Sequence, residues 1–133
     1  MDDTLNMDKQ HTVLIVDDSL PYRQKIESLY ESLGWECVAV CASAIECLEY
    51  LDKNPAPDLI SLDIIMPEMH GFELLEILKK NEYKSKIVMV SGLPQQAVED
   101  QINRLTLKPD GHISKKESKE AFEAHIEKIM GAT

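Results

Sequence analysis

The sequence predicts an α/β fold, a doubly wound parallel sheet of five strands with five helices. Short β-branched runs alternate with amphipathic segments along the 133-residue chain, the pattern of a parallel sheet covered on both faces. Four of the five runs stop at an acidic pair, a lone Asp, Ser-Gly or a Lys. The length suits one domain able to bury about two-thirds of its unfolded surface, so no disulfide or structural metal is needed for folding.

The first ten residues, MDDTLNMDKQ, are polar and aperiodic and read as a flexible tail (1–10) ahead of a domain spanning 11–133. His11 to Val16, HTVLIV, is the first strand and ends in Asp17-Asp18-Ser19. Ser19 stands where a helix cap belongs, and Ile26, Leu29, Tyr30 and Leu33 share one helical face that Gly34 closes. Glu36 to Val40 is the second strand. Ser43 caps a second helix with Ile45, Leu48 and Leu51 turned inward, and Pro55 and Pro57 break the chain after it.

Asp58 to Leu62 is a third strand running into Asp63 and a loop that holds Met66, Pro67 and Gly71. Phe72, Leu75 and Leu78 mark the third helix. Lys86 to Val90, KIVMV, is the fourth strand, closed by Ser91-Gly92. A weaker, polar helix covers roughly Gln95 to Leu105 and is expected to stop early because of Pro109. Gly111 to Ser114 is a brief fifth strand followed by Lys115. The last helix runs from about Glu117 to Met130 on Phe122, Ile126 and Ile129. Three residues follow it, so no attached output domain is expected.

Fourteen Lys and Arg against 24 Asp and Glu give a formal net charge of −10. Phosphate backbones repel such a surface, so nucleic acid is not an expected partner. No apolar run approaches the roughly 18 residues of a membrane helix, and no signal peptide is visible, so no membrane association is expected. Cys37, Cys41 and Cys47 are odd in number and form no C-x-x-C pair. That fits a reduced, cytoplasmic compartment with each thiol acting as a small apolar core residue.

Asp17 and Asp18 follow strand one, Asp63 strand three, Ser91 strand four and Lys115 strand five. The carboxyl ends of parallel strands share one rim. In a flavodoxin-like order 2-1-3-4-5, strands one and three are neighbours at the topological switch point, where such folds bind ligands. Three carboxylates in one crevice repel unless one is protonated or a cation joins them. Oxygen ligands without His or Cys favour a hard ion, and a site open to water favours Mg2+. A metal and a lysine facing a carboxylate nucleophile form a set suited to phosphoryl transfer.

The runs VLIVDDS, LISLDIIMPEMHGFELL, VMVSG and GHISK, in this order and spacing, resemble the receiver domains of two-component response regulators from about His11 to Met130. The resemblance implies that Asp63 accepts a phosphoryl group from a histidine kinase or histidine phosphotransfer protein. It implies that Asp17, Asp18, Asp63 and the backbone carbonyl of Ile65 bind Mg2+. It gives Ser91 and Lys115 the phosphoryl oxygens to contact, and it gives Pro67 and Gly71 the shaping of the Asp63 loop. Leu20, Pro21 and Arg23 are placed to dock the phosphodonor, and the fourth helix, fifth strand and fifth helix to meet a downstream protein target. Such a chain is a stoichiometric phosphoacceptor rather than an enzyme, cytoplasmic, and a monomer or weak dimer.

Departures from the family stand out at His112, at Lys116 and at Lys108-Pro109-Asp110, where small residues and glycine are usual before the fifth strand. His112 occupies the place of a Tyr or Phe that moves inward as the Ser or Thr is drawn to the phosphoryl group, which makes His112 and Ser91 the expected switch pair. Lys116 stands where proline usually follows the lysine, so a looser loop is expected there. Ile65 and Leu93, two residues past Asp63 and Ser91, are apolar and should hinder water attack on the phosphorylated state. His70 and His125 read as surface residues and not as metal ligands.

Other readings fit less well. An aspartyl phosphatase-type enzyme needs a second Asp two residues after its nucleophile, and Asp17-Asp18-Ser19-Leu20 lacks that spacing. A flavin binder needs a hydroxyl- or glycine-rich first loop, whereas an acidic one repels its phosphate. A degenerate receiver that binds partners without phosphorylation is opposed by the complete acidic set but kept open by His112 and Lys116.

Overall fold

The computed structural model describes residues 10–131. Five strands form one sheet: β1 (Thr12–Val16), β2 (Glu36–Cys41), β3 (Leu59–Leu62), β4 (Lys86–Ser91) and β5 (Gly111–Ser114). They are ordered β2-β1-β3-β4-β5, and every pairing is parallel. Five helices connect or follow them: α1 (Leu20–Ser32), α2 (Ala44–Lys53), α3 (Gly71–Lys80), α4 (Gln95–Asn103) and α5 (Lys119–Gly131). The expected fold class, strand order and helix number are therefore all present. Of the expected 1–10 tail, residues 1–9 lie outside the described residues, while Gln10 donates its side-chain amide to the Gly34 carbonyl at 2.8 Å.

The alternation of side chains along each strand explains why the strand sequences are apolar at nearly every position. Val13 and Ile15 face one way with Leu59, Val88, Val90 and Ile113, and pack on α1 and α5 through Ile26, Tyr30, Phe122 and Ile126. Leu14 and Val16 face the other way with Ile60, Leu62 and Met89, and pack on α2, α3 and α4 through Cys47, Leu51, Leu74, Leu75 and Val98. Tyr30 sits edge-on to Phe122 at 5.1 Å in the first of these cores. Burial pushes its hydroxyl well above the usual tyrosine range.

Several local expectations change. Ser19 occupies the cap position of α1, but its side chain makes no capping bond there. Instead Asp17 Oδ1 accepts the Ser19 N–H at 2.8 Å, and Pro21 in the first turn needs no donor partner. The inward face of α2 is Ala44, Cys47 and Leu51, with Leu48 beside it. Ile45 lies one position off that stripe and is exposed. Ser43 caps α2 as expected, accepting the Glu46 N–H at 3.2 Å. Asp58 precedes β3 rather than opening it, and its carboxylate accepts the Thr12 N–H at 2.9 Å.

The fourth helix ends at Asn103, six residues short of Pro109, so the proline does not stop it. The Lys108 ammonium instead donates to the carbonyls of Ile102 and Leu105 at 2.9 Å each, closing the helix end. Cys41 and Cys47 are buried, whereas Cys37 is only half-buried, so the core role holds for two of the three free thiols. Among the described residues, no helix is long and apolar enough to cross a membrane.

The assignment of the α2 face has a direct test. Leu51 is 5% exposed and Ile45 48%. Leu51→Ala should cost about 2–5 kcal/mol in urea unfolding, whereas Ile45→Ala should stay within about 0.5 kcal/mol of the parent.

Candidate functional site

The sheet order builds the site. Register pairs Val16 with Leu62 across β1 and β3, so Asp17 and Asp63 leave the sheet side by side. Backbone bonds lock both exits: Asp17 N–H donates to the Cys41 carbonyl at 3.0 Å and Asp63 N–H to the Val16 carbonyl at 2.9 Å. On the other side, Ser91 pairs with Ser114, and Lys115 N–H donates to the Ser91 carbonyl at 2.8 Å. Four separate strand ends thus deliver Asp17, Asp63, Ser91 and Lys115 to one rim.

One carboxylate oxygen from each of Asp17, Asp18 and Asp63 lies within 4.8 Å of the other two. Asp17 and Asp63 are buried and Asp18 is exposed, so the cluster opens to solvent on one side. The Lys115 ammonium reaches in from β5, 2.7 Å from Asp17 Oδ2 and 3.4 Å from Asp63 Oδ2, with its side chain only 6% exposed. Gly71 permits the tight return of the Asp63 loop. Its N–H donates to the Ile64 carbonyl at 2.7 Å. A Cβ there would run into the Asp63 carbonyl oxygen and come within 2.8 Å of Ile64 Cα.

Burial pushes the Asp63 carboxyl up from 3.8 to about 7, with the Asp17 charge adding to the rise and Lys115 opposing it. A single ammonium therefore does not neutralise the cluster. The residues fit a small hard cation: all donors are oxygen, and a Mg–O distance of about 2.1 Å requires ligand oxygens no more than about 4.2 Å apart. A contraction of under about an ångström, or a bridging water, would bring all three carboxylates to one ion.

Ser91 Oγ is buried and accepts the Leu93 N–H at 3.0 Å, which leaves its O–H to donate into the site. Ile65 is 53% exposed on the same loop as Asp63. His112 pairs with Met89 in the sheet and is half-buried at a cavity of about 310 Å³ that Leu93, Val98 and Ile129 also line. Leu20 and Pro21 are exposed at the start of α1, as a docking role requires, but Arg23 is already engaged, donating to the Asp17 carbonyl at 2.8 Å. His70 caps α3, its Nδ1 accepting the Phe72 N–H at 3.4 Å, and His125 lies 2.9 Å from Glu117. Neither is in the acidic cluster. Lys116 N–H is held by Ser114 Oγ at 3.1 Å, so the turn after Lys115 is bonded rather than loose.

Two contacts gave no signal in the sequence. The Tyr22 ring lies under the Lys115 ammonium at 4.2 Å, and Lys25 donates to the Lys115 carbonyl at 3.1 Å. Both come from α1, remote in sequence from β5, and an ordinary amphipathic helix carries such residues for many reasons.

A parallel sheet in this order, with three carboxylates and a lysine gathered at its switch point, defines a receiver-type site. The sequence profile of the response regulator receiver domain matches residues 13–127, and the chain belongs to that family. It is similar to the chemotaxis protein CheY of Bacillus subtilis, 35% identical over 88 residues, which span 66% of this chain and 72% of that protein. A protein-glutamate methylesterase/protein-glutamine glutaminase of Rhodospirillum rubrum is 39% identical over 109 residues, 77% of this chain and 29% of the enzyme. The crystal structure of a CheY-like receiver domain protein from Methanospirillum hungatei superposes with a TM-score of 0.78 at 27% identity, covering 92% of this chain and 94% of that one.

The raised Asp63 value has a thermodynamic consequence. Without metal, the folded chain keeps a proton that the unfolded chain releases between pH 3.8 and about 7. Stability from the neutral carboxyl is complete below that window and is lost as pH rises through about 7. Asp63→Asn should therefore stabilise the metal-free protein above pH 7 by on the order of 1–3 kcal/mol, with the gain fading towards pH 4. Urea unfolding across this pH range checks both the sign and the window.

Proposed function

We propose that the chain is a response regulator that takes a phosphoryl group onto Asp63 from a phosphohistidine-bearing kinase or phosphotransfer protein and signals by changing what its surface binds. The observation that carries this reading is the Lys115 ammonium lying within 3.4 Å of two buried carboxylates, Asp17 and Asp63, on the sheet's ligand-binding rim. Asp63 is the nucleophile: its oxygen forms a bond to phosphorus as the phosphorus–nitrogen bond to the donor imidazole breaks, giving an acyl phosphate. Asp17, Asp18, Asp63 and the Ile65 carbonyl would hold Mg2+, which offsets charge on the carboxylates and the phosphoryl oxygens. Lys115 moves with its partner charge, from the Asp63 carboxylate to the phosphoryl group attached there. The Ser91 O–H donates to another phosphoryl oxygen.

The role is stoichiometric, with no separate substrate turned over. A cytoplasmic location follows from a kinase-linked role and the reduced thiols. Leu20 and Pro21 offer the donor an apolar contact beside the rim. The output face is α4, β5 and α5. There Ser91 and His112 form the switch: drawing Ser91 towards the phosphoryl group lets the His112 ring enter the cavity beside Val98 and Ile129, which shifts α4.

Exposure to a small phosphodonor with Mg2+ should add one phosphoryl group to the wild type by intact-mass spectrometry and none to Asp63→Asn. Because Ile65 and Leu93 shield the site, the label should outlast seconds. Label on Asp63→Asn, or none on either protein, ends this reading. The switch assignment is separable. Exchange of His112 for Tyr should change how strongly phosphorylation perturbs α4 amide resonances. Identical profiles for the two proteins would remove His112 from the switch.

A further inference from the structure

Lys115 follows the four-residue edge strand β5, and the residue after it is exposed. Its own strand and turn fix its backbone but not its side chain. Beyond the sheet bond to Ser91, the turn that follows is closed by Ser114, whose Oγ accepts the Lys116 N–H at 3.1 Å and whose carbonyl accepts the Glu117 N–H at 3.2 Å. A lysine side chain carries up to about 2 kcal/mol of rotamer entropy, so an unsupported one would wander. Even so, the Lys115 side chain is 6% exposed and directed at two carboxylates.

The support comes from α1. Two sides of the ammonium meet Asp17 Oδ2 and Asp63 Oδ2, and the face of the Tyr22 ring covers another at 4.2 Å. A ring face there attracts the cation and displaces the water that would otherwise compete for its protons. One turn further along α1, the Lys25 ammonium holds the Lys115 carbonyl at 3.1 Å. Arg23 of the same helix holds the Asp17 carbonyl at 2.8 Å. A single helical turn thus holds both the lysine and the backbone of the aspartate that faces it.

We propose that Tyr22 and Lys25 are positioning residues for phosphoryl transfer, fixing the Lys115 ammonium over Asp17 and Asp63. The proposal rests on the phosphoacceptor reading. Its consequences run in opposite directions for two measurements. A loosened Lys115 contacts the transferring phosphoryl group less often, so labelling slows. The same ammonium competes with Mg2+ for the Asp17 and Asp63 oxygens, so loosening it should tighten metal binding.

The test uses the full chain and a small phosphodonor, which needs no protein docking. Tyr22→Leu should label about three- to tenfold more slowly than wild type and bind Mg2+ more tightly by calorimetry. Tyr22→Phe, which keeps the ring, should recover most of the lost rate, and Lys25→Met should slow labelling in the same way as Tyr22→Leu. In the metal-free protein, ring current should shift the Lys115 ε-methylene protons upfield in wild type and Tyr22→Phe but not in Tyr22→Leu. Wild-type labelling and metal affinity in Tyr22→Leu would overturn the proposal, as would a parallel loss of both, which marks general damage. If wild type itself takes no label, the phosphoacceptor reading has failed. The metal affinities and the methylene shifts still report whether α1 fixes Lys115.

Discussion

Like charges forced together at the junction of β1 and β3 are the constraint on which the structure turns. Asp17 and Asp63 are buried side by side because two central strands end side by side. Neither can be moved without shifting a strand whose two faces both lie in the core. Repulsion and burial together hold the Asp63 carboxyl well above its ordinary range. Lys115 offsets part of this, and the remainder is a standing preference for a further cation or for a change in charge at Asp63. A receiver exploits that preference, since a site that is unfavourable at rest is sensitive to what binds it or is attached to it.

The scaffold around this point is correspondingly over-determined. Backbone bonds fix the exits of β1 and β3, a glycine lets the Asp63 loop close on itself, and Arg23 braces the Asp17 carbonyl. The opposite wall is less firmly built. Gln95–Asn103 buries only Val98, and a cavity of about 310 Å³ separates it from β5 and α5. Packing is thus tight at the charge cluster and slack beside α4.

Much of this was legible in the sequence because strand, turn and charge repeat together. Buried parallel strands must be apolar on both faces, so HTVLIV and KIVMV could hardly be anything else. The polar residue that ends each run then falls on one rim by topology alone. Asp17, Asp18, Asp63, Ser91 and Lys115 therefore share that rim. The sequence pattern failed where a one-residue phase shift matters. Ile45 and Ala44 are both apolar, and only packing decides which points inward. It also failed at Ser19, whose hydroxyl was expected to cap α1, because the Asp17 carboxylate takes the Ser19 N–H. The α1 contacts to Lys115 were invisible since they join residues about ninety positions apart.

The central claim is that the cluster of Asp17, Asp18 and Asp63 favours a bound cation. It is tested most directly by titrating wild type and Asp17→Asn with Mg2+ at about pH 6 and about pH 8, either side of the raised Asp63 value. The account predicts saturable binding of one ion per chain. Binding should be tighter at the higher pH, where Asp63 has no proton to lose, and much weaker once Asp17 is neutral. Absence of saturable binding, or equal affinity in the variant, would contradict it.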